Sequence, residues 1–157
     1  MPTQQANMVA DFVEIEGKKL YYEVAGEGKP LVFLHSGFLD HRMWDDQWEE
    51  FSKHYRVVRY DMLGYGKSDA VDGPATRRNE LYHLLNHLGI EAAYFVGVSM
   101  GGEIVLDFAL EHPEMVLGVV AVATVPGGFE MQGEPPANLL ALIEATQQGD
   151  VARASDL

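Results

Sequence analysis

Residues 93–102 read AYFVGVSMGG, and this stretch decides the fold. Ala93 to Val98 is a short apolar run of the kind that forms a strand buried on both faces. After it, Ile104, Val105, Phe108 and Ala109 recur along one side of a helix from Ser99 to Glu111, and Pro113 ends that helix. Between strand and helix, Gly97-Val98-Ser99-Met100-Gly101 fits the pattern G-x-S-x-G. A serine at that place sits on a sharp turn with a strained backbone. Side chains two residues before and two after would collide with the turn, and glycine at 97 and 101 removes the collision. The turn lifts the serine Oγ to the carboxyl edge of the sheet. It also aims a helix N-terminus at the reacting group, which favours developing negative charge. A glycine-rich turn without chemistry can carry the same letters. The strand directly before and the helix directly after favour the chemical reading.

Working outward, Asp11 to Ile15 alternates as a half-buried strand does, and Lys18 to Val24 follows across Glu16-Gly17 as a hairpin partner. Pro30 to Leu34 and Tyr55 to Tyr60 read as further strands. Between them a helix starts at Asp40, a good N-cap, with Trp44, Trp48 and Phe51 at helical spacing. Asp61 to Pro74 is a loop, and Ala75 to Leu88 a helix carrying Leu81, Leu84, Leu85 and Leu88, stopped by Gly89. Val116 to Ala123 is expected as another buried strand, and Asn138 to Gln148 as a last helix on Leu139, Leu142 and Ile143. The alternation specifies an α/β fold, a mainly parallel sheet with helices on both faces. Residues 1–10 are expected as a flexible tail, 11–125 as the core, and 126–157 as a linker and the start of a helical cap.

Composition narrows the function classes. Eleven basic against 24 acidic residues give a net charge of −13, which disfavours nucleic acid or an anionic membrane as partner. There are no cysteines, so disulfides, thiolate catalysis and Cys-based zinc sites are excluded. Residues 1–10 lack the features of a signal peptide, and the longest apolar run, Met115 to Val125, is too short to span a bilayer. A cytoplasmic location is expected from these absences.

Three blocks together carry a family resemblance. They are LVFLHSGF at 31–38, RYDMLGYGKSD at 59–69 and VGVSMGG at 96–102. In order and separation they resemble the α/β-hydrolase superfamily, in its branch of small esterases and lactonases with a helical cap. The resemblance implies that Ser99 is the catalytic nucleophile. It implies one oxyanion-hole donor in the Met100 N–H and a second in the Gly37 N–H, with Phe38 as the fallback. Two such donors contribute about 3 kcal/mol each to transition-state stabilisation. Phe38 and Met100 would line an acyl pocket. His35 matches a residue that braces the oxyanion loop, and Asp61 and Ser68 match turn-formers. No organic cofactor or metal is required. Serine at 99 argues against dehalogenases and epoxide hydrolases of this fold, which carry aspartate there.

The family's triad runs Ser, then acid, then His along the chain. Here the last histidine is His112, inside the helix after Ser99, so the acid and base have no counterpart. His41 is the best placed remaining histidine, although a solvent-facing role suits it better. Glu80, His83 and His87 share a helix face, a spacing open to a metal but explained by helix-surface polarity. The strand at 116–123 is then an open apolar edge, and a homo-oligomer or a complementary C-terminal chain is the expected partner across it. The leading function is hydrolysis of a carboxylic ester, lactone or similar small acyl substrate. The alternatives are a cofactor-free peroxidase or C–C hydrolase with the same turn, and an inactive truncated scaffold.

Overall fold

The computed structural model describes residues 8–71, 76–129, 133 and 136–156. Six strands form one sheet in the order β1-β2-β4-β3-β5-β6. The hairpin of β1 (Val9–Ile15) and β2 (Lys18–Ala25) is antiparallel, and it joins β4 (Arg56–Tyr60) antiparallel as well. The strand β1 takes in Val9 and Ala10, two residues expected in the tail. The rest of that tail, apart from exposed Met8, lies outside the described residues. Glu16 and Gly17 both have positive φ, 52° and 78°, as a two-residue turn matched to strand twist requires.

From β3 (Pro30–Leu34) onward the sheet is parallel, through β4, β5 (Ala93–Val98) and β6 (Val116–Val122). The chain leaves β3 for β4 on one side and then returns to place β5 on the other. The strand order therefore reverses between β3 and β5, the position where open α/β sheets bind ligands at their carboxyl ends. That reversal also puts the helices on both faces. A single-turn 3-10 helix (His41–Trp44) leads into α1 (Asp45–Ser52) on one face, where Trp44 packs with Leu31, Phe33 and Val57. The helices α2 (Arg77–His87) and α3 (Met100–Glu111) cover the other face, bringing Leu81, Leu84, Leu85, Ile104, Val105 and Phe108 onto Val32, Leu34, Val58, Tyr60 and Phe95. Alternate residues of β3 serve the two faces, so its unbroken apolar run has a physical cause. The expected start of the second helix at Ala75 lies outside the described residues.

The strand β6 lies at the edge of the sheet, as the open apolar edge expected at 116–123 and not as a strand buried on both faces: Leu117, Val120 and Val122 are 49%, 56% and 45% exposed. Its sequence suits a central position, but among the described residues it pairs with β5 alone. After α4 (Ala137–Gln147) a further short helix, α5 (Val151–Ser155), begins where none was expected; Asp150 caps it by accepting from the Arg153 N–H at 3.1 Å. No helix of the described residues is long and apolar enough to cross a membrane.

Candidate functional site

Ser99 is exposed at the carboxyl end of β5, with φ 51° and ψ −116°. A non-glycine residue in that region carries strain of about 1–3 kcal/mol and persists only where its surroundings hold it. Its N–H donates to the Val122 carbonyl at 2.9 Å, and its carbonyl accepts from the Glu103 N–H at 3.0 Å. Both neighbours of the turn are therefore pinned, one to β6 and one to α3. The glycines around it have no room for a side chain. A Cβ at Gly97 would run into the Gly101 carbonyl; one at Gly101 would lie 2.5 Å from the Leu34 oxygen and 2.6 Å from the His35 oxygen. One at Gly102 would lie 2.5 Å from Thr124 Cγ2. Met100 is the first residue of α3, where a backbone N–H has no intrahelical acceptor.

The loop after β3 lies beside this turn, because Leu34 pairs with Gly97. The ring of His35 is fully buried, and both nitrogens are committed. Nδ1 lies 2.8 Å from the Ser36 carbonyl, which can only accept, and Nε2 lies 3.1 Å from the Met62 N–H, which can only donate. The ring is therefore neutral with its proton on Nδ1. Burial, the largest influence, pushes its pKa below the usual histidine value. His35 ties the loop after β3 to the loop after β4 and has no nitrogen left to act as a base. Gly37 faces open space, and Phe38 follows with φ 66° and 66% exposure. Phe38 lines an open cleft of about 400 Å³ with Leu39, Asp40, Arg42, Met43 and Asp45. Met100 is not among those residues; its sulfur lies 3.9 Å from the Tyr65 hydroxyl.

A neutral buried histidine makes stability depend on pH. In the unfolded chain His35 binds a proton below about pH 6.5, whereas the native ring resists it. The unfolded state then holds more protons, so native stability is expected to fall as pH drops below that value, by up to about 1.4 kcal/mol per pH unit. Urea unfolding between pH 7 and pH 5 checks this, and His35→Gln is expected to flatten the slope.

Behind the site lies a buried polar array that the sequence does not announce. Asp61 is fully buried and accepts from the His41 N–H at 2.7 Å, His41 Nδ1 at 2.8 Å and the Lys67 N–H at 2.8 Å. His41 Nε2 lies 3.5 Å from Glu23, and Glu23 also receives Arg59 at 2.7 Å and the Tyr21 hydroxyl at 2.6 Å. Burial alone would raise the Glu23 pKa, but the Tyr21 and Arg59 hydrogen bonds outweigh it and hold the carboxyl below its usual range. His41 is thus an interior residue and not the solvent-facing one expected. Asp40, His41 and Asp61 offer donor atoms within 4.8 Å of one another, the one such group among the described residues. Asp61 is saturated by hydrogen bonds and Asp40 is tied to Arg42 at 2.6 Å, so the group is occupied by its own partners. Glu80, His83 and His87 do not converge. Glu80 is buried against the Leu63 N–H at 3.1 Å and Arg77 at 2.9 Å, His87 reaches the Tyr22 hydroxyl at 3.2 Å, and His83 is exposed. Among the described residues no hydrogen bond joins Ser99 Oγ to any of the six histidines.

Comparison with known proteins follows the same lines. Residues 29–152 match the family model described as the alpha/beta hydrolase fold. The chain is 34% identical over 120 residues to human Epoxide hydrolase 4, covering 70% of this chain and 32% of that protein. It is 34% identical over 118 residues to 2-hydroxy-6-oxo-6-phenylhexa-2,4-dienoate hydrolase of Comamonas testosteroni, covering 70% and 41%. The solved structure of Est816, described as an N-acyl homoserine lactone degrading enzyme, superimposes with a TM-score of 0.73 at 32% identity, covering 90% of this chain and 54% of that one. The chain therefore spans between about a third and a little over half the length of these relatives. Strand order, the glycine-packed turn at Ser99 and the family match over residues 29–152 agree, and the chain belongs to the α/β-hydrolase family.

Proposed function

We propose that Ser99 is the nucleophile of a serine hydrolase acting on a carboxylic ester or lactone. The observation that carries this reading is the exposed Ser99 held at φ 51° by glycines that cannot be replaced without backbone collision. Strain of this size in a residue open to solvent marks function more often than folding need. In this reading Ser99 Oγ attacks the acyl carbonyl. The Gly37 and Met100 N–H groups hold the oxyanion, and Phe38 and Met100 contact the acyl chain. The exposed Leu139, Leu140 and Ile143 of α4 support a role for α4 and α5 as the first part of a cap over the site. The described residues do not supply the base and acid, so the full acyl-enzyme cycle draws them from polypeptide beyond these residues. No cofactor takes part.

Without a base, acylation by an activated ester is slow and deacylation slower still. The expected result with p-nitrophenyl butyrate is therefore a slow release of about one p-nitrophenolate per chain, absent from Ser99→Ala. Equal release by the two proteins contradicts the reading. The Comamonas relative favours a second reading, hydrolytic C–C cleavage by the same serine. A chain that reacts with a vinylogous diketone and not with the ester supports that second reading.

A further inference from the structure

We propose that Asp107 of α3 is a positioning residue for Ser99, acting through the chain that leaves β6. Two neighbouring strands end on non-glycine residues with a φ of 51°: Ser99 follows β5 and Ala123 follows β6. The two are joined, because the Ser99 N–H donates to the carbonyl of Val122, the residue before Ala123, at 2.9 Å. Ala123 is exposed, and a methyl group in solvent cannot hold a backbone in this strained region. The hold comes from the chain beyond it, where two ties are found. The Thr124 side chain seats on Gly102, at which a Cβ would lie 2.5 Å from the threonine Cγ2. The Gly127 N–H donates to Asp107 Oδ1 at 2.8 Å.

The Asp107 carboxylate divides its oxygens between two elements. Oδ1 takes the Gly127 N–H, and Oδ2 receives Arg78 Nη1 from α2 at 2.9 Å. The ion pair fixes the direction of the carboxylate, and the hydrogen bond anchors the loop. Gly127 comes so close that a Cβ there would run into the Asp107 carboxylate. Residues Val122 to Gly127 thus cross the first turns of α3 as a strap, tied at Ser99, at Gly102 and at Asp107. Release of the last tie leaves Ala123 free to rotate toward the negative φ that an L-residue prefers. That rotation turns the peptide plane between Val122 and Ala123, and this plane carries the carbonyl that holds the Ser99 N–H. Ser99 then keeps its bond to Glu103 on α3 and loses its bond to β6, so its own strained φ has one restraint fewer. Asp107 touches no reacting atom and acts only through this relay.

Residue-resolved amide hydrogen exchange, with fluorophosphonate labelling beside it, tests this. Asp107→Ala is expected to speed exchange of the Ser99 amide about tenfold, the lower end of what a hydrogen bond to a charged acceptor contributes, and to leave the β3 amides unchanged. Gly127→Ala, a change on an exposed turn, is expected to do the same and serves should Asp107→Ala fail to fold. Asp107→Asn still offers an oxygen to the Gly127 N–H, and Arg78→Gln removes only the ion pairs, so both are expected to stay within about twofold of the parent. Labelling of Ser99 is expected to slow in Asp107→Ala and Gly127→Ala and to be retained in the other two. This second readout rests on Ser99 being the nucleophile. A parent that takes up no adduct counts against that reading, while exchange at the Ser99 amide still decides the role of Asp107. Unchanged Ser99 exchange in a folded Gly127→Ala or Asp107→Ala protein overturns the proposal. So does Asp107→Asn or Arg78→Gln matching Asp107→Ala, or exchange that quickens equally at Ser99 and throughout β3.

Discussion

Gly101→Ala is expected to cost about 2 kcal/mol of stability and to remove any reactivity of Ser99. Two effects oppose each other. Alanine is favoured over glycine inside a helix by about 1 kcal/mol. Against this, the new Cβ would sit 2.5 Å and 2.6 Å from the backbone oxygens of Leu34 and His35. Backbone cannot swing aside as a side-chain tip can, so the overpacking cost falls at the upper end, about 3 kcal/mol. The strain would be relieved by pushing α3 away from the loop after β3, and that movement separates Met100 from Gly37. Gly118→Ala is the matched control. Its Cβ would meet only the Tyr94 ring at 3.2 Å, which can yield, so a change within about 1 kcal/mol is expected. Urea denaturation of both variants checks the pair, and a Gly101→Ala protein as stable as the parent would show that the turn is not packed as described.

Asp61→Ala carries the larger stability effect, about 4 kcal/mol. The carboxylate is fully buried and satisfies two backbone N–H groups and His41 Nδ1. Each buried donor left without an acceptor costs about 1–3 kcal/mol. Its loss also frees His41 from one of its two acidic neighbours and loosens the turn at Gly66, whose backbone lies against the Asp61 carboxylate. Asp61→Asn is expected to do less harm, since one oxygen still accepts while the amide nitrogen faces a donor. Thermal or urea unfolding ranks the three proteins, with the order parent, Asn, Ala.

The contrast between these two sites shows what a sequence reveals. The turn at Ser99 is legible because its constraint is local. Glycines two residues to either side of a serine, between a strand and a helix, state a backbone geometry in five letters. The hairpin at Glu16-Gly17 and the two-faced run of β3 are legible for the same reason. The array of Tyr21, Glu23, His41, Arg59 and Asp61 is not, because its members come from β2, β4, the first 3-10 turn and the loop after β4. No periodicity links them, and neither the solvent-facing reading of His41 nor the turn-forming reading of Asp61 announces that they meet in the interior. Glu80 misleads in the same way: it sits on a polar helix face by sequence and is buried by the loop that packs on it. The open edge at β6 is legible only through the family resemblance and not from the strand's own residues. Composition reports how apolar a strand is, and only topology reports whether a neighbour covers it. The helix α5 could have been found from Asp150, whose side chain caps it, although its body is too short and polar to show a stripe.

The most direct test of the central claim, that Ser99 is a nucleophile displayed on a strained turn, is intact mass with peptide mapping after prolonged incubation with a fluorophosphonate. The account predicts one phosphonyl adduct per chain, located on Ser99 and absent from Ser99→Ala, forming slowly because no histidine among the described residues bonds its hydroxyl. A folded chain that takes up no adduct, or takes it up on other serines and equally in Ser99→Ala, would contradict it.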